Sequence, residues 1–444
     1  MRQLLVSIDE TLVGTLSESD DLWRFDYDRT WVEAARGFDL SPGLPRAARQ
    51  IVDGSTHRPV QWYFDNLLPE ELLREAICKE AGLRGEDAFA LLEYLGAESA
   101  GSLTLLAPGA ERATPGGLRP LTDEALSARI GRLPRSTLTE QAPKRMSLAG
   151  AQHKLLVVKS DGQLFEPVGA TPSTHILKPR HPGAAEYPGS VTNEYVTMRL
   201  ADACGLRVPA VDVRFVPEPV YIVDRFDRVI QTTAQAKRET AERVVSRRHI
   251  IDACQLLNRP RGFKHVGATL QSLLEVIEQS TNKVDTRLRL FRWLVFNVAV
   301  ANDDCHLKNI SFFVDAQGIQ LAPHYDLLAT SVWNTRTFAD EKENWPRGLM
   351  GFELPSAKRF ADVTPASIFE AGEALGVPRI PAARIVQEVV TRLPAAIGAE
   401  AESLESRRAS APEGAKRFLA AEAKAFHVMR AIVIPEMLKR LKAL

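Results

Sequence analysis

Hydrophobic positions near the start of the chain alternate with polar ones in two short runs, Leu4–Ile8 (LLVSI) and Thr11–Leu16 (TLVGTL), which predicts a pair of strands. From Pro69 to Leu95 the spacing changes to a helical period, so the region up to about Thr104 reads as one small α+β unit. Ala107–Arg119 (APGAERATPGGLR) concentrates proline, glycine and charge and predicts an exposed connection. Four strand-like runs follow, Lys154–Lys159, His175–Lys178, Val211–Phe215 and Val220–Val223, with a helix from about Thr192 to Cys204. Beyond Arg228 a charged stretch, Ala234–Arg248, leads into helical patterns that dominate to the C-terminus, broken by one extended stretch near Asn309–Val314. The predicted parts are therefore an N-terminal subdomain (1–106), a connection (107–136), a sheet-bearing part (137–228) and a mainly helical part (229–444).

The most apolar internal stretch, Leu288–Val300, contains Phe291, Trp293, Leu294 and Phe296 but is interrupted by Arg292 and Asn297. It falls short of the roughly 20 apolar residues that cross a bilayer, so it predicts a buried helix and no membrane association. No repeat period is present, which excludes solenoid arrays. Composition adds little pull toward any partner: 56 basic and 56 acidic residues cancel, so contact with nucleic acid or anionic lipid would need a local patch. The four cysteines, Cys78, Cys204, Cys254 and Cys305, are scattered, suggesting neither a disulfide framework nor a zinc site. The opening MRQLLVSIDETLVG lacks the basic start and unbroken apolar run of a secretory signal. Together these features predict a cytoplasmic protein.

Chemistry concentrates in Ala301–Phe313 (ANDDCHLKNISFF), where polar groups crowd a turn between the buried helix and an extended run. Asp304 and Asn309 have the spacing of a kinase catalytic loop, in which the aspartate accepts the substrate hydroxyl proton and the asparagine amide oxygen holds Mg²⁺. Lys308 is placed to neutralise a phosphoryl oxygen, and His306 joins the candidate nucleotide-binding residues of this segment. Downstream, Asp326 in LAPHYDLL is a second candidate metal ligand. Lys178, ending the run THILK, is a candidate for holding ATP phosphates, with Glu194 in TNEYV as its helix partner. Ser147–Lys154 (SLAGAQHK) is a small-residue turn before a strand, and Ala149, Gly150, Ala151, Gln152 and Lys154 are candidate phosphate contacts. It matches neither G-x-G-x-x-G nor a Walker A loop.

Taken in order, SLAGAQHK, THILKP, NEY, DRFDR (Asp224–Arg228), DDCHLKN and HYDL resemble the HipA family of toxin kinases, and FDNLLPE (Phe64–Glu70) resembles that family's N-terminal subdomain. The resemblance implies an α+β fold, two-lobed and protein-kinase-like, with an extra N-terminal subdomain, a mainly helical C-terminal lobe and ATP bound between the lobes. It implies Asp304 as catalytic aspartate, Asn309 and Asp326 as Mg²⁺ ligands, Lys178 on the ATP phosphates, and Asp224 and Phe226 at the adenine-binding hinge. Ser147 matches the serine that family members phosphorylate on themselves. The implied partners are a protein substrate, in the family including aminoacyl-tRNA synthetases, and a HipB-like helix-turn-helix antitoxin through which DNA is bound. Cys305, where small residues are common, and His153 depart from the family pattern.

Plainer readings stand beside these. Asp304, Asn309 and Asp326 also suit a polar loop capping a helix. Lys178 also suits a surface position before a turn, Glu194 a first-turn helix acid, and Ser147 a turn cap. Arg225 and Arg228 alternate with acids as on a solvated strand face, and Lys237–Arg248 reads as an exposed hairpin or linker. His306 and His324, with Asp304 and Asp326, also permit a metal-dependent phosphohydrolase, although structural histidines are preferred. A non-enzymatic corepressor acting with a DNA-binding partner is the third function class.

Overall fold

The computed structural model describes residues 1–110, 115–232 and 243–442. Residues 111–114 of the predicted connection, and residues 234–242 of the charged stretch, Lys237 among them, lie outside the described residues. The chain forms two compact units: Met1–Leu177 with Asp224–Arg261 and Ser311–Ala322, and Lys178–Val223 with Gly262–Ile310 and Pro323–Leu444.

In the first unit, strands β1 (Arg2–Ile8), β2 (Thr11–Ser19), β3 (Leu22–Tyr27), β4 (Gln50–Val52) and β5 (Leu103–Leu106) form a sheet in the order β4-β3-β2-β1-β5. The alternation that predicts β1 and β2 buries Leu4, Val6, Val13 and Leu16. β3 has no counterpart in the sequence-based expectation, because its hairpin turn uses Asp20 and Asp21 at φ 53° and 62° where glycine or asparagine is the usual signal. Trp23 and Phe25 of β3 meet Phe89 and Phe64 at ring-centroid distances of 5.3 and 5.6 Å, seating helices Ala88–Leu95 and Pro59–Asp65 on the sheet.

The segment read as a connection is structured beyond residue 115. Strand β6 (Gly117–Pro120) pairs antiparallel with β8 (Gln163–Val168), which pairs with β7 (Leu155–Ser160), and β7 pairs with β9 (His175–Pro179). Thr122 then caps helix Asp123–Ile130 by accepting from the Ala125 amide. This region has little apolar pattern because ions share the anchoring: Arg119 and Arg129 reach the buried Glu166 carboxylate at 2.6 and 2.7 Å.

The DRFDR motif corrects the expectation of a solvated strand face. Arg225, Asp227 and Arg228 are buried, and the guanidinium groups converge on Glu98, itself fully buried. Glu98 accepts from Arg225 at 3.0 Å, Arg228 at 2.9 Å, Lys144 at 2.8 Å and the Ser173 hydroxyl at 2.7 Å, while Arg225 also pairs with Asp227 at 2.7 Å. Burial alone would raise the Glu98 carboxyl, but the charges of Arg225, Lys144 and Arg228 outweigh it and hold it far below the carboxylate range. After this motif Arg228–Thr232 pairs with Arg243–Arg247 as a hairpin, and Ile250–Asp252, Ser311–Asp315 and Gly318–Leu321 make a three-stranded sheet.

In the second unit, hairpin strands β10 (Val211–Phe215) and β11 (Pro219–Asp224, its last residue counted with the first unit) accompany a mainly helical body. The apolar run predicted as a buried helix lies within Lys283–Val300, started by Asn282 accepting from the Asp285 amide and stopped by Ala301 in the left-handed region at φ 54°. Helix Ser190–Ala203 packs on helices Arg379–Ala409 and Lys416–Val428. Gly189 permits the approach, since a Cβ there would lie 2.5 Å from the Ala425 Cβ, and Thr192 donates its amide to Glu422 at 2.8 Å. All four cysteines are buried thiols, and among the described residues no helix is long and apolar enough to cross a membrane.

Replacing Glu98 with alanine leaves buried Lys144 without its carboxylate and Arg225 and Arg228 with Asp227 alone, and is expected to cost about 3–5 kcal/mol in urea denaturation. Arg29→Ala, which breaks the exposed Arg29–Glu33 pair, is expected to cost under about 0.5 kcal/mol. Equal losses would show that the Glu98 cluster does not anchor the first unit.

Candidate active site

Lys178, the second-to-last residue of β9, is buried, and its ammonium sits 2.7 Å from Glu194 and 2.5 Å from Asp326. Burial by itself lowers a lysine, but here Asp326 and Glu194 outweigh it and raise Lys178 above its ordinary value, so it stays charged. The surface-lysine and first-turn-acid readings of these two residues are therefore replaced by a buried ion pair. Asp326 has φ 57°, in the left-handed region that aspartate enters more readily than most non-glycine residues. The segment after it is held by Asn193, whose side chain donates to the Ala329 carbonyl at 3.0 Å and accepts from the Ala329 amide at 2.8 Å. Sequence reasoning singled out Glu194 and passed over Asn193, although both lie in TNEYV.

The loop bearing Asp304 is propped from the buried helix. Asn297, which interrupts the apolar run, accepts from the Asn302 side chain at 2.7 Å, and Asn302 accepts from the Asp304 amide at 3.1 Å. Asp304 is exposed while Cys305 through Asn309 are buried. The Asn309 side-chain nitrogen donates to the Asp304 carbonyl at 3.3 Å, which leaves its amide oxygen as a donor atom for a metal. That oxygen and the Asp326 carboxylate are hard oxygen donors of the kind that suit Mg²⁺. Lys308 is held by its own carbonyl, which accepts from the Tyr325 hydroxyl at 2.7 Å. Asp303, unremarked in the sequence, takes its amide to Thr330 at 2.7 Å and accepts from Asn334 at 3.0 Å, and burial raises its carboxyl. Cys305 is a packing residue: a Cβ on Gly351 would come within 2.5 Å of its carbonyl oxygen, and burial raises its thiol.

Of the two histidines considered as metal ligands, His324 is a core residue. It lies nearly parallel to Trp293 at 6.3 Å, and burial, then Arg289 and Arg207, push it down to about 3. His306 instead lies beside His265, and these two with Asp304 are the one potential three-ligand metal group among the described residues. His324 and Asp326 are outside it, so the four-residue hydrolase site is not assembled.

In the first unit Ser147 is buried, donating its amide to the Glu98 carbonyl at 2.7 Å and its hydroxyl to the Leu67 carbonyl at 2.6 Å. The FDNLLPE segment grips the same loop again where the Glu70 amide donates to the Gly150 carbonyl at 3.2 Å. Ala149, Gly150, Ala151, Gln152 and Lys154 are half-buried, and the Lys154 ammonium folds back onto the Ala149 carbonyl at 2.5 Å. Gly150 has φ 106°, a backbone conformation that strains any residue with a Cβ, so the turn favours glycine. Asp224 lies 3.1 Å from the His175 ring, and Phe226 meets Phe313 edge-on at 6.0 Å.

A buried lysine paired with a helix glutamate, and an aspartate and asparagine five positions apart in a loop after a buried helix, define a protein kinase. The comparisons agree with that class. The HipA N-terminal domain matches residues 4–106, and the HipA-like C-terminal domain matches residues 146–397, more than half of the chain. The chain belongs to the HipA family of protein-kinase toxins and has its α+β, protein-kinase-like fold. It is 28% identical over 420 residues to the serine/threonine-protein kinase toxin HipA of Shewanella oneidensis, covering 89% of this chain and 88% of the relative. It is 36% identical over 343 residues to Y4mE of Sinorhizobium fredii, whose name classes it provisionally as a kinase, covering 74% and 78% respectively. HipA in the solved Shewanella oneidensis complex of HipA, HipB and operator DNA superposes with a TM-score of 0.73 at 25% identity, covering 96% of each chain.

The histidines make stability depend on pH. The folded state keeps His324 neutral down to about 3 and His249, buried against Tyr63 and the Leu40 carbonyl, down to about 4. The unfolded chain takes up these protons near pH 6.5. Between those values the unfolded state binds more protons, so this stability is fully present above about pH 6.5 and is lost as pH falls below it. Thermal midpoints measured from pH 8 to 4 are expected to fall below pH 6.5, and His324→Phe to flatten the fall. An unchanged slope would remove His324 from this role.

Proposed function

We propose that this kinase transfers the γ-phosphoryl group of ATP to a serine or threonine hydroxyl of a protein and to its own Ser147. The observation that carries the reading is the Lys178 ammonium held between Glu194 and Asp326 in the same unit as Asp304 and Asn309. In this reading Asp304 accepts the proton of the attacking hydroxyl, Lys178 holds ATP phosphates, and Lys308 neutralises a phosphoryl oxygen. Asn309 and Asp326 would hold Mg²⁺, which neutralises charge on the phosphates when bound. His306 and residues 149–154 serve the nucleotide, and Asp224 to Phe226 meet the adenine edge. The parts read from sequence, 1–106, 107–136, 137–228 and 229–444, are proposed as N-terminal subdomain, connection, N-lobe and C-lobe.

Ser147 suits a self-limiting switch. Its hydroxyl is buried and donates to a carbonyl, and a phosphate there carries about −1.5 to −2 charge and presents strong acceptor oxygens to that carbonyl at neutral pH. The loop must leave this position to be phosphorylated and cannot return to it afterwards. The solved Shewanella oneidensis complex supports a HipB-like helix-turn-helix antitoxin as partner, with DNA bound through that complex. Family resemblance supports a translation component, such as an aminoacyl-tRNA synthetase, as substrate in a reducing cytoplasm.

Intact-protein mass after incubation with ATP and Mg²⁺ is expected to show one phosphate on the wild type and none on Asp304→Asn or Ser147→Ala. Lys178→Met is expected to slow transfer by roughly 10²–10³-fold. If no sample gains mass and calorimetry detects no ATP binding, the kinase assignment of these residues fails.

A further inference from the structure

His265 belongs to no motif, yet the fold sets it beside the two most chemically loaded positions of the Asp304 loop. One ring nitrogen of His265, one of His306 and a carboxylate oxygen of Asp304 all lie within 4.8 Å of one another. The two rings meet edge-on, 4.7 Å between centroids and 84° between planes. That arrangement lets both turn a nitrogen toward a shared point without overlapping.

We propose that His265, Asp304 and His306 form a transition-metal site, distinct from the Mg²⁺ ligands Asn309 and Asp326, whose occupation by a Zn²⁺-class ion stops phosphoryl transfer. Zinc bonds to imidazole nitrogen and carboxylate oxygen are about 2.0–2.2 Å long. Ligand atoms around such an ion lie roughly 3.3 Å apart in a tetrahedron, so atoms already within 4.8 Å of one another lie near the separations the ion requires. Two imidazoles and one carboxylate select borderline ions such as Zn²⁺, Co²⁺ or Ni²⁺, whereas Mg²⁺ prefers an all-oxygen shell. Three protein ligands leave the fourth position to water.

The scaffold holds the ligands in place. His265 lies on the short helix Phe263–Val266, and the next residue, Gly267, is wedged against both sides: a Cβ there would lie 2.2 Å from the Phe263 ring and 2.9 Å from the Leu307 side chain. The turn bearing His265 is therefore packed directly on the turn that follows His306. His306 is buried while His265 and Asp304 are exposed, so an ion reaches the site from solvent and meets one fixed ligand and two adjustable ones.

Binding follows from the ligands alone; inhibition rests on the reading of Asp304 as the proton acceptor, because a metal-bound carboxylate no longer accepts the substrate proton. The test uses full-length wild type, His265→Ala and His265→Gln. Co²⁺ titration followed by its visible absorption, and Zn²⁺ calorimetry without nucleotide, are expected to show one ion on the wild type and affinity weakened by about 100-fold or more in both variants. With Mg²⁺ and ATP, Zn²⁺ is expected to inhibit the wild type, while both variants keep basal activity within about twofold and escape inhibition. Equal metal affinity in all three proteins, or no binding by the wild type, overturns the site. Tight binding at His265 with equal Zn²⁺ inhibition of wild type and variants overturns the inhibitory role. If wild type binds the ion but shows no kinase activity without it, the kinase reading fails and the metal site stands.

Discussion

An ammonium group taken out of water must be met by carboxylates, and Lys178 is met by two. Much of the second unit is arranged to deliver them. Helix Ser190–Ala203 brings Glu194, and the chain after the Asp304 loop turns through a left-handed aspartate to bring Asp326. Asn193, one residue before Glu194, clamps the backbone at Ala329, three residues beyond Asp326. One helix turn thus supplies one partner of the lysine and restrains the segment carrying the other. A buried ion pair is weak evidence for stability, since desolvation offsets most of its attraction. Its value here is position: the two carboxylates fix where the ammonium points.

The first unit repeats the device with reversed sign. Glu98 is the buried acid, and Lys144, Arg225, Arg228 and the Ser173 hydroxyl gather around it. Its backbone carbonyl also accepts the Ser147 amide. The serine proposed for self-phosphorylation is therefore tied to the residue on which three buried cations converge, and Leu67 and Glu70 grip its loop from the N-terminal subdomain. The contacts that hold this loop and the ionic core of the unit therefore share a residue.

Legibility in the sequence followed the kind of interaction. β1, β2, β7, β9 and the helix within Lys283–Val300 announce themselves because apolar burial leaves a period or an unbroken apolar run. β3 is obscured by a turn of two aspartates, β6 by anchoring through Arg119 and Glu166, and the buried DRFDR cluster by its resemblance to a solvated face. Charge in a sequence is read as exposure unless its partner is known, and these partners are distant: Glu98 precedes Arg225 by 127 positions. His265, Asn193 and Asp303 went unnoticed for the same reason.

The sequence by itself determined the family, the Asp304 to Asn309 spacing, the buried helix before it and the order of a strand lysine ahead of a helix glutamate. Each of these is a local order of residue types, and local order survives in one dimension. Tertiary structure decided which charges are buried, that Asp326 joins Lys178, that Asn297 and Asn302 prop the Asp304 loop, that His324 is core while His306 meets His265, and that Ser147 is held on Glu98 and Leu67. Those outcomes depend on which side chains meet after the chain has folded back on itself, where desolvation makes a partner obligatory and distance along the chain counts for nothing.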